Sequence, residues 1–199
     1  MGGSKSDKCT LCGRIQTLHH VPSSCPKFLE QGRYTYRHNN IIKEIVENID
    51  RDNARVYADI EGHTIGGGTV PPDILVTSEK PDIVIIHDPE TAEKKHHITI
   101  IELTVPWEER LRKSREHKTN KYSSLVSDIQ AAGFSVDFIP LEVGVRGIID
   151  QDNKESIKLI KKVSKSTVSL KSLISSISKK AVISSYYIFL SRNDQNWID

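Results

Sequence analysis

Two runs of β-branched residues dominate the middle of this chain: DIVIIH at 82–87 and ITIIELTV at 98–105. Such density favours extended backbone, and short apolar runs bounded by polar residues read as strands. The pattern predicts strands from Asp82 to His87 and from Ile98 to Val105, joined by a polar connection containing Pro89. Each carries a carboxylate, Asp82 at the entrance of the first and Glu102 in the middle of the second. Folded as a hairpin, the pair brings Asp82 near the level of Glu102 to Thr104. Alternation puts Ile100, Glu102 and Thr104 on one face and Ile101, Leu103 and Val105 on the other. A carboxylate inside such a strand is costly unless a lysine or a bound metal sits opposite it.

The segment from Trp107 to about Ala132 has the strongest helical pattern in the chain. Its apolar stripe is Trp107, Leu111, Leu125 and Ile129. Lys118 lies at the centre, one heptad from Leu111 and one from Leu125, with Lys121 and Tyr122 beside it. A lysine there either snorkels along apolar surface to water or meets the hairpin carboxylates. In the second case the residues form a constellation for metal-assisted phosphodiester hydrolysis. Asp82 and Glu102 would offer oxygen ligands to Mg²⁺ or Mn²⁺, and the lysine would stabilise charge building on phosphorus.

All three cysteines fall in the first 25 residues, spaced Cys9-x2-Cys12-x7-His20-x4-Cys25, with Gly13 placed for a tight turn. Four N and S donors at this spacing can close a tetrahedral zinc site, which would hold together a segment too small and polar to fold alone. His19 is an alternative fourth ligand, and a flexible tail with free thiols is the alternative to zinc. The first residues contain no apolar core of a signal peptide, and no run of eighteen apolar residues exists. A soluble protein in a reducing compartment, nuclear or cytoplasmic, is therefore expected, with no membrane partner. Net charge is only +2, so attraction to nucleic acid must come from local patches. Residues 154–180 are one, with eight lysines and one glutamate.

Elsewhere, Asn40 to Ile49 reads as a helix capped by Asn39 or Asn40, with Ile42, Ile45, Val46 and Ile49 as its buried stripe. Glu44 lies off that stripe and reads as solvated. Arg37 and His38, just before the cap, are candidate phosphate contacts at a helix start. ARVYADIEG reads as a strand and IGGGTVPPD as a loop. FSVDFIPLEVGVRG reads as a strand ending in a turn, where Gly144 and Gly147 suit close backbone approach and Arg146 could meet a phosphate. Glu142 is either a strand-end acid or a further metal ligand. Residues 152–190 read as one or two helices with an apolar face on the core and a basic face outside, a candidate DNA track.

The order of knuckle, RHN, KPD, IELTVP, HKTNKY and LEVGVRG resembles the C-terminal region of site-specific non-LTR retrotransposons, whose restriction-like endonuclease is a branch of the PD-(D/E)xK nucleases. The resemblance runs from Cys9 to about Gly147. It implies an α/β fold with an αβββαβ core, metal dependence and cleavage of one DNA strand at a time. Carried over, the catalytic set is Asp82, Glu102, Lys118 and Lys121, and the knuckle ligands are Cys9, Cys12, His20 and Cys25. Arg37, His38, Tyr122 and Arg146 become nucleic-acid contacts. DNA is the implied partner, and the element's RNA is a second one. The chain departs from (D/E)xK in carrying Thr104 two residues after Glu102, but the family resembled moves that lysine onto the following helix. Pro72-Asp73 is a second PD pair, set aside because a clear strand follows Asp82 at once. The expected organisation is a knuckle over 1–30, a nuclease core over 31–150 and a basic helical extension over 151–199. No reverse transcriptase fits beside these in 199 residues.

Overall fold

The computed structural model describes residues 7–88 and 96–197. The two apolar runs form the centre of a four-stranded sheet: β2 (Ile83–His87) pairs antiparallel with β3 (His97–Thr104), Ile83 opposite Ile101 and Val84 opposite Ile100. The connection at Pro89 lies outside the described residues. β1 (Ala54–Ala58) pairs antiparallel with β2, and β4 (Ser135–Glu142) runs parallel to β3, giving the order β1-β2-β3-β4. β3 is therefore paired along both edges. A parallel neighbour requires a crossover, and α4 (Leu111–Ala131) supplies it between β3 and β4.

Side-chain alternation in β2 and β3 sorts the core into two layers. Ile83, Ile85, Ile101 and Leu103 pack with Ile41, Ile42, Ile45 and Val46 of α3 (Arg33–Asn48), and with Ile157 and Ile160 of α5 (Lys154–Lys162) and Leu173 and Ile177 of α6 (Leu170–Leu190). On the other face Val84, Ile86, Ile98 and Ile100 meet Tyr122, Leu125 and Ile129 of α4 and Val70 and Ile74 of the preceding loop. A fully buried isoleucine contributes about 1.5–3 kcal/mol relative to exposure, so Ile101→Ala, which also opens a cavity, should cost roughly 2–5 kcal/mol. Among the described residues no helix is long and apolar enough to cross a membrane.

Three expectations change. The helix expected from Asn40 begins seven residues earlier, at Arg33, behind Gly32 with φ of +72°. The added first turns carry Arg33 and Arg37, which tertiary contacts bury. Trp107 precedes α4 instead of joining its stripe, because a 3₁₀ turn at Glu108–Arg110 intervenes. The strand expected over 54–62 ends at Ala58.

The amino-terminal segment holds two short helices, α1 (His20–Ser23) and α2 (Pro26–Glu30). It packs on the far end of the chain: Cys9, Val21, Cys25 and Phe28 share an apolar cluster with Ile188, with Trp197 against its side. Arg33 fastens this contact. Its guanidinium lies between the Phe28 and Trp197 rings, 4.3 and 4.8 Å from their centroids, and donates to the carbonyls of Ser191, at 2.6 Å, and Asp194.

Candidate active site and metal cluster

The sheet delivers Asp82 and Glu102 to one another. Asp82 stands one residue before β2, and its backbone N–H donates to Glu102 Oε2 at 3.1 Å; in return Leu103 N–H donates to Asp82 Oδ2 at 2.7 Å. Both carboxylates are buried, Glu102 to 1% exposure. Burial, and then the charge of Asp82, push the Glu102 carboxyl above its ordinary value, while Lys118 pulls it back. Lys118 reaches across from α4 and its ammonium group donates to Glu102 Oε1. Of the two placements open to a lysine on that stripe, Lys118 takes the contact with a hairpin carboxylate, with a quarter of its side chain still exposed.

His38 belongs to this group instead of to a helix start. It sits inside α3, and its Nε2 faces two acceptors, Asp82 Oδ2 at 3.2 Å and the Leu103 carbonyl at 3.3 Å, so that nitrogen carries the proton. Burial would depress the imidazole, but the hydrogen bond and charge of Asp82 outweigh it and hold its pKa above the usual histidine value. Three elements, α3, the β2–β3 pair and α4, therefore meet in one chain of contacts from His38 through Asp82 and Glu102 to Lys118.

Other expected contacts are placed differently. Arg37 is 2% exposed and donates to Pro22 O at 2.7 Å, Ser185 Oγ at 3.1 Å and Val105 O at 3.4 Å, so it joins α1, α6 and the end of β3, and its remaining surface lines a cavity with Trp107 and Arg110. Burial lowers its pKa to about 10. Tyr122 is buried, with its hydroxyl donating to Lys80 O at 3.0 Å, and burial pushes that phenol far above its usual range. It is unavailable as a nucleic-acid contact. Lys121 lies at the surface, its Nζ 3.0 Å from Tyr122 Oη and 3.7 Å from Glu79 Oε2. Arg146 is exposed, held against Glu108 at 3.1 Å and over the Trp107 ring at 4.9 Å. Gly144 and Gly147 fit the close approach expected: a Cβ would meet Glu108 Oε1 or Ser178 O at 2.7 Å. Asp73 is exposed beside Arg55, and Glu44 pairs with Lys180 at 3.4 Å.

Glu142, expected as either a strand-end acid or a ligand, is 1% exposed and forms a second buried acid–base pair. It pairs with Arg115 Nε at 2.9 Å, while Arg115 Nη2 donates to Pro140 O, Asn153 Oδ1 and Ser156 Oγ at 3.1–3.2 Å. Burial pushes the Glu142 carboxyl up to about 7 against the pull of Arg115. Arg115 escaped the sequence reading although its position showed: Leu111, Arg115, Lys118, Tyr122, Leu125 and Ile129 follow the alternating four-and-three spacing of one helix face.

Beside Lys118 a cavity of about 410 Å³ opens, lined by Thr104, Arg110, Lys113, Ser114, His117 and Lys118. Thr104 Oγ1 is shielded and has no hydrogen-bond partner there. Arg110, Lys113 and His117 were not singled out from the sequence, though their spacing marks a face of α4.

The cysteines gather as their spacing predicts. The ligand atoms of Cys9, Cys12, His20 and Cys25 all lie within 4.8 Å of one another. Cys9 Sγ and Cys25 Sγ are 3.9 Å apart and Cys12 Sγ and His20 Nε2 are 3.2 Å apart. A tetrahedron with Zn–S bonds near 2.3 Å has ligand edges of about 3.8 Å, so the cluster can hold a metal ion such as zinc. Gly13, at φ +72°, makes the turn after Cys12. His20 takes the fourth place; His19 instead hydrogen-bonds Ser24 Oγ at 3.1 Å and meets the Trp107 ring edge-on at 5.1 Å. Burial pushes the Cys25 thiol up to about 11, and a bound cation would reverse that preference. No family model matches this chain, and no curated protein does.

Proposed function

We propose that the chain is a metal-dependent DNA endonuclease of the PD-(D/E)xK type that nicks single strands by phosphodiester hydrolysis, derived from or belonging to a non-LTR retrotransposon. The observation that carries this reading is the convergence of Asp82, Glu102 and Lys118 at the junction of two strands and a helix. The run α3, β1, β2, β3, α4, β4 supports it, following the αβββαβ order that the motifs imply. The donor set suits a hard divalent cation: two carboxylates on adjacent strands, one pushed up by burial and by its neighbour's charge. Mg²⁺ or Mn²⁺, when bound by Asp82 and Glu102, would supply polarisation of the scissile phosphate and an activated water. Lys118 would stand against the charge developing on that phosphate, and His38 would fix the Asp82 carboxylate. The knuckle, loaded with zinc, would present the amino-terminal segment to the same substrate.

The test is nicking of a supercoiled plasmid with Mg²⁺ or Mn²⁺ by zinc-loaded protein, against Asp82→Ala and Lys118→Ala. Nicking by the wild type that both variants lose while still binding DNA is the expected result. A second reading, a zinc-knuckle nucleic-acid-binding module with a nuclease-like core and no activity, is favoured by two observations: both Glu102 oxygens already accept from protein donors, and Thr104 stands where (D/E)xK has its lysine. DNA binding without nicking in either metal would select it.

A further inference from the structure

The 410 Å³ cavity beside Lys118 does not end at Arg110. A second cavity, of about 240 Å³, shares Arg110 and Ser114 with it and continues to Trp107, Tyr34 and His19. Together they make one cleft from the Glu102–Lys118 pair to the edge of the metal cluster. The two halves differ in chemistry. The first is basic, because Arg110, Lys113 and His117 recur at three- and four-residue intervals from the start of α4, with Lys118 next to His117. The second adds aromatic surface, with the rings of His19, Tyr34 and Trp107 in its wall beside Arg37.

Charge on this helix is sorted by face. Arg112, away from the cleft, pairs with Glu116 at 3.3 Å. Among the described residues no carboxylate pairs with Arg110, Lys113 or His117. Unpaired cations facing a cavity call for a polyanion, and aromatic walls at its end call for flat apolar faces. A single nucleic-acid strand has both, phosphates along one side and bases along the other. The cleft is in the size range of small-molecule pockets, too small to admit a duplex.

We propose that this cleft binds the single-stranded continuation of the DNA strand being cut, with phosphates on Arg110, Lys113 and His117 and an unstacked base against Trp107. The preferred substrate is then a junction between duplex and single strand. This rests on the nuclease reading for the identity of the strand, and its test reads binding alone.

Zinc-loaded protein without Mg²⁺ is titrated into a fluorescein-labelled 12-nucleotide DNA strand, the matching blunt duplex and the matching RNA, with fluorescence anisotropy read at several salt concentrations. Arg110→Ala combined with Lys113→Ala should weaken single-strand binding at least about 10-fold and shrink the salt slope by about 1.4, two phosphates at ~0.7 each. Trp107→Ala should weaken it roughly 5- to 150-fold, the range of one lost base stack. Arg112→Ala, one position from Lys113 on the other flank, should change nothing beyond 2-fold. Equal losses for Arg112→Ala and Lys113→Ala, tighter binding of blunt duplex than of single strand, or preference for the RNA would each overturn the proposal. Cleft-dependent binding without nicking would defeat the catalytic reading and leave the cleft standing; nicking with no cleft dependence would do the reverse.

Discussion

Two acid–base pairs join α4 to the sheet one helical turn apart, and they do different work. Glu102 with Lys118 and Glu142 with Arg115 share the same helix and the same sheet face, and both acids are 1% exposed. Lys118, however, lines an open cavity, whereas Arg115 donates to Pro140 O, Asn153 and Ser156. On the nuclease reading the first ammonium would exchange a carboxylate for a substrate phosphate, while the second guanidinium is tied to three protein acceptors besides Glu142. Lysine suits the mobile role as a point charge on a flexible stem. Arginine suits the fixed one, since its planar fork takes several acceptors at once.

The largest expected contrast is in activity. Lys118→Ala should lower plasmid nicking by roughly 10⁴, the upper range for one group that handles transition-state charge or protons. Arg115→Ala, assayed where it remains folded, should stay within about 10-fold of the wild type. Equal losses would break the distinction between the two pairs.

Stability should reverse that order. Glu142→Ala leaves a largely buried guanidinium without its carboxylate and should cost about 3–5 kcal/mol in urea unfolding at pH 7. Lys118→Ala should cost less, because Glu102 can take up a proton in compensation.

A third contrast is in pH. With its folded pKa raised from 4.5 to about 7, Glu142 binds a proton more tightly in the native state, so its contribution to stability is fully present below about pH 4.5 and is lost as pH rises through about 7. The full shift is on the order of 3 kcal/mol. Glu142→Gln should remove this share of the slope between pH 5 and 7 and leave the shares of Glu102 and His38, which have the same sign. An unchanged slope would place the Glu142 carboxyl in the ordinary range.

The smallest effect is expected at His38. Loss of its N–H should reduce nicking by about 10-fold, as for residues that orient a metal-binding carboxylate, and raise the Mg²⁺ concentration needed. His38→Gln, which keeps a donor, should recover most of it; identical behaviour of Gln and Ala variants would reduce His38 to packing.

Much of this architecture was legible because the signals are local. β-Branched runs marked β2 and β3, the charge inside one of them marked Glu102, helical spacing marked Lys118, and four ligands at short intervals marked the metal cluster. What was not legible depends on partners distant in sequence. His38 looks like a surface residue until Asp82 arrives beside it, and Arg37 looks like a phosphate contact until Pro22, Val105 and Ser185 surround it. A buried arginine runs against every prior from composition, so only its acceptors, here on both terminal nitrogens, show why it is tolerated.

The clasp at Arg33 gives the molecule a built-in optical readout. The chain has two tryptophans, Trp107 in the cleft wall and Trp197 against Arg33 beside the cysteine cluster. Replacing Trp107 with phenylalanine leaves a single emitter, whose signal follows metal loading at Cys9 and Cys25 from the opposite end of the chain. Replacing Trp197 instead leaves an emitter that follows occupancy of the cleft. One protein would thus offer separate spectroscopic channels for the proposed metal ion and the proposed nucleic acid, with no external label on either.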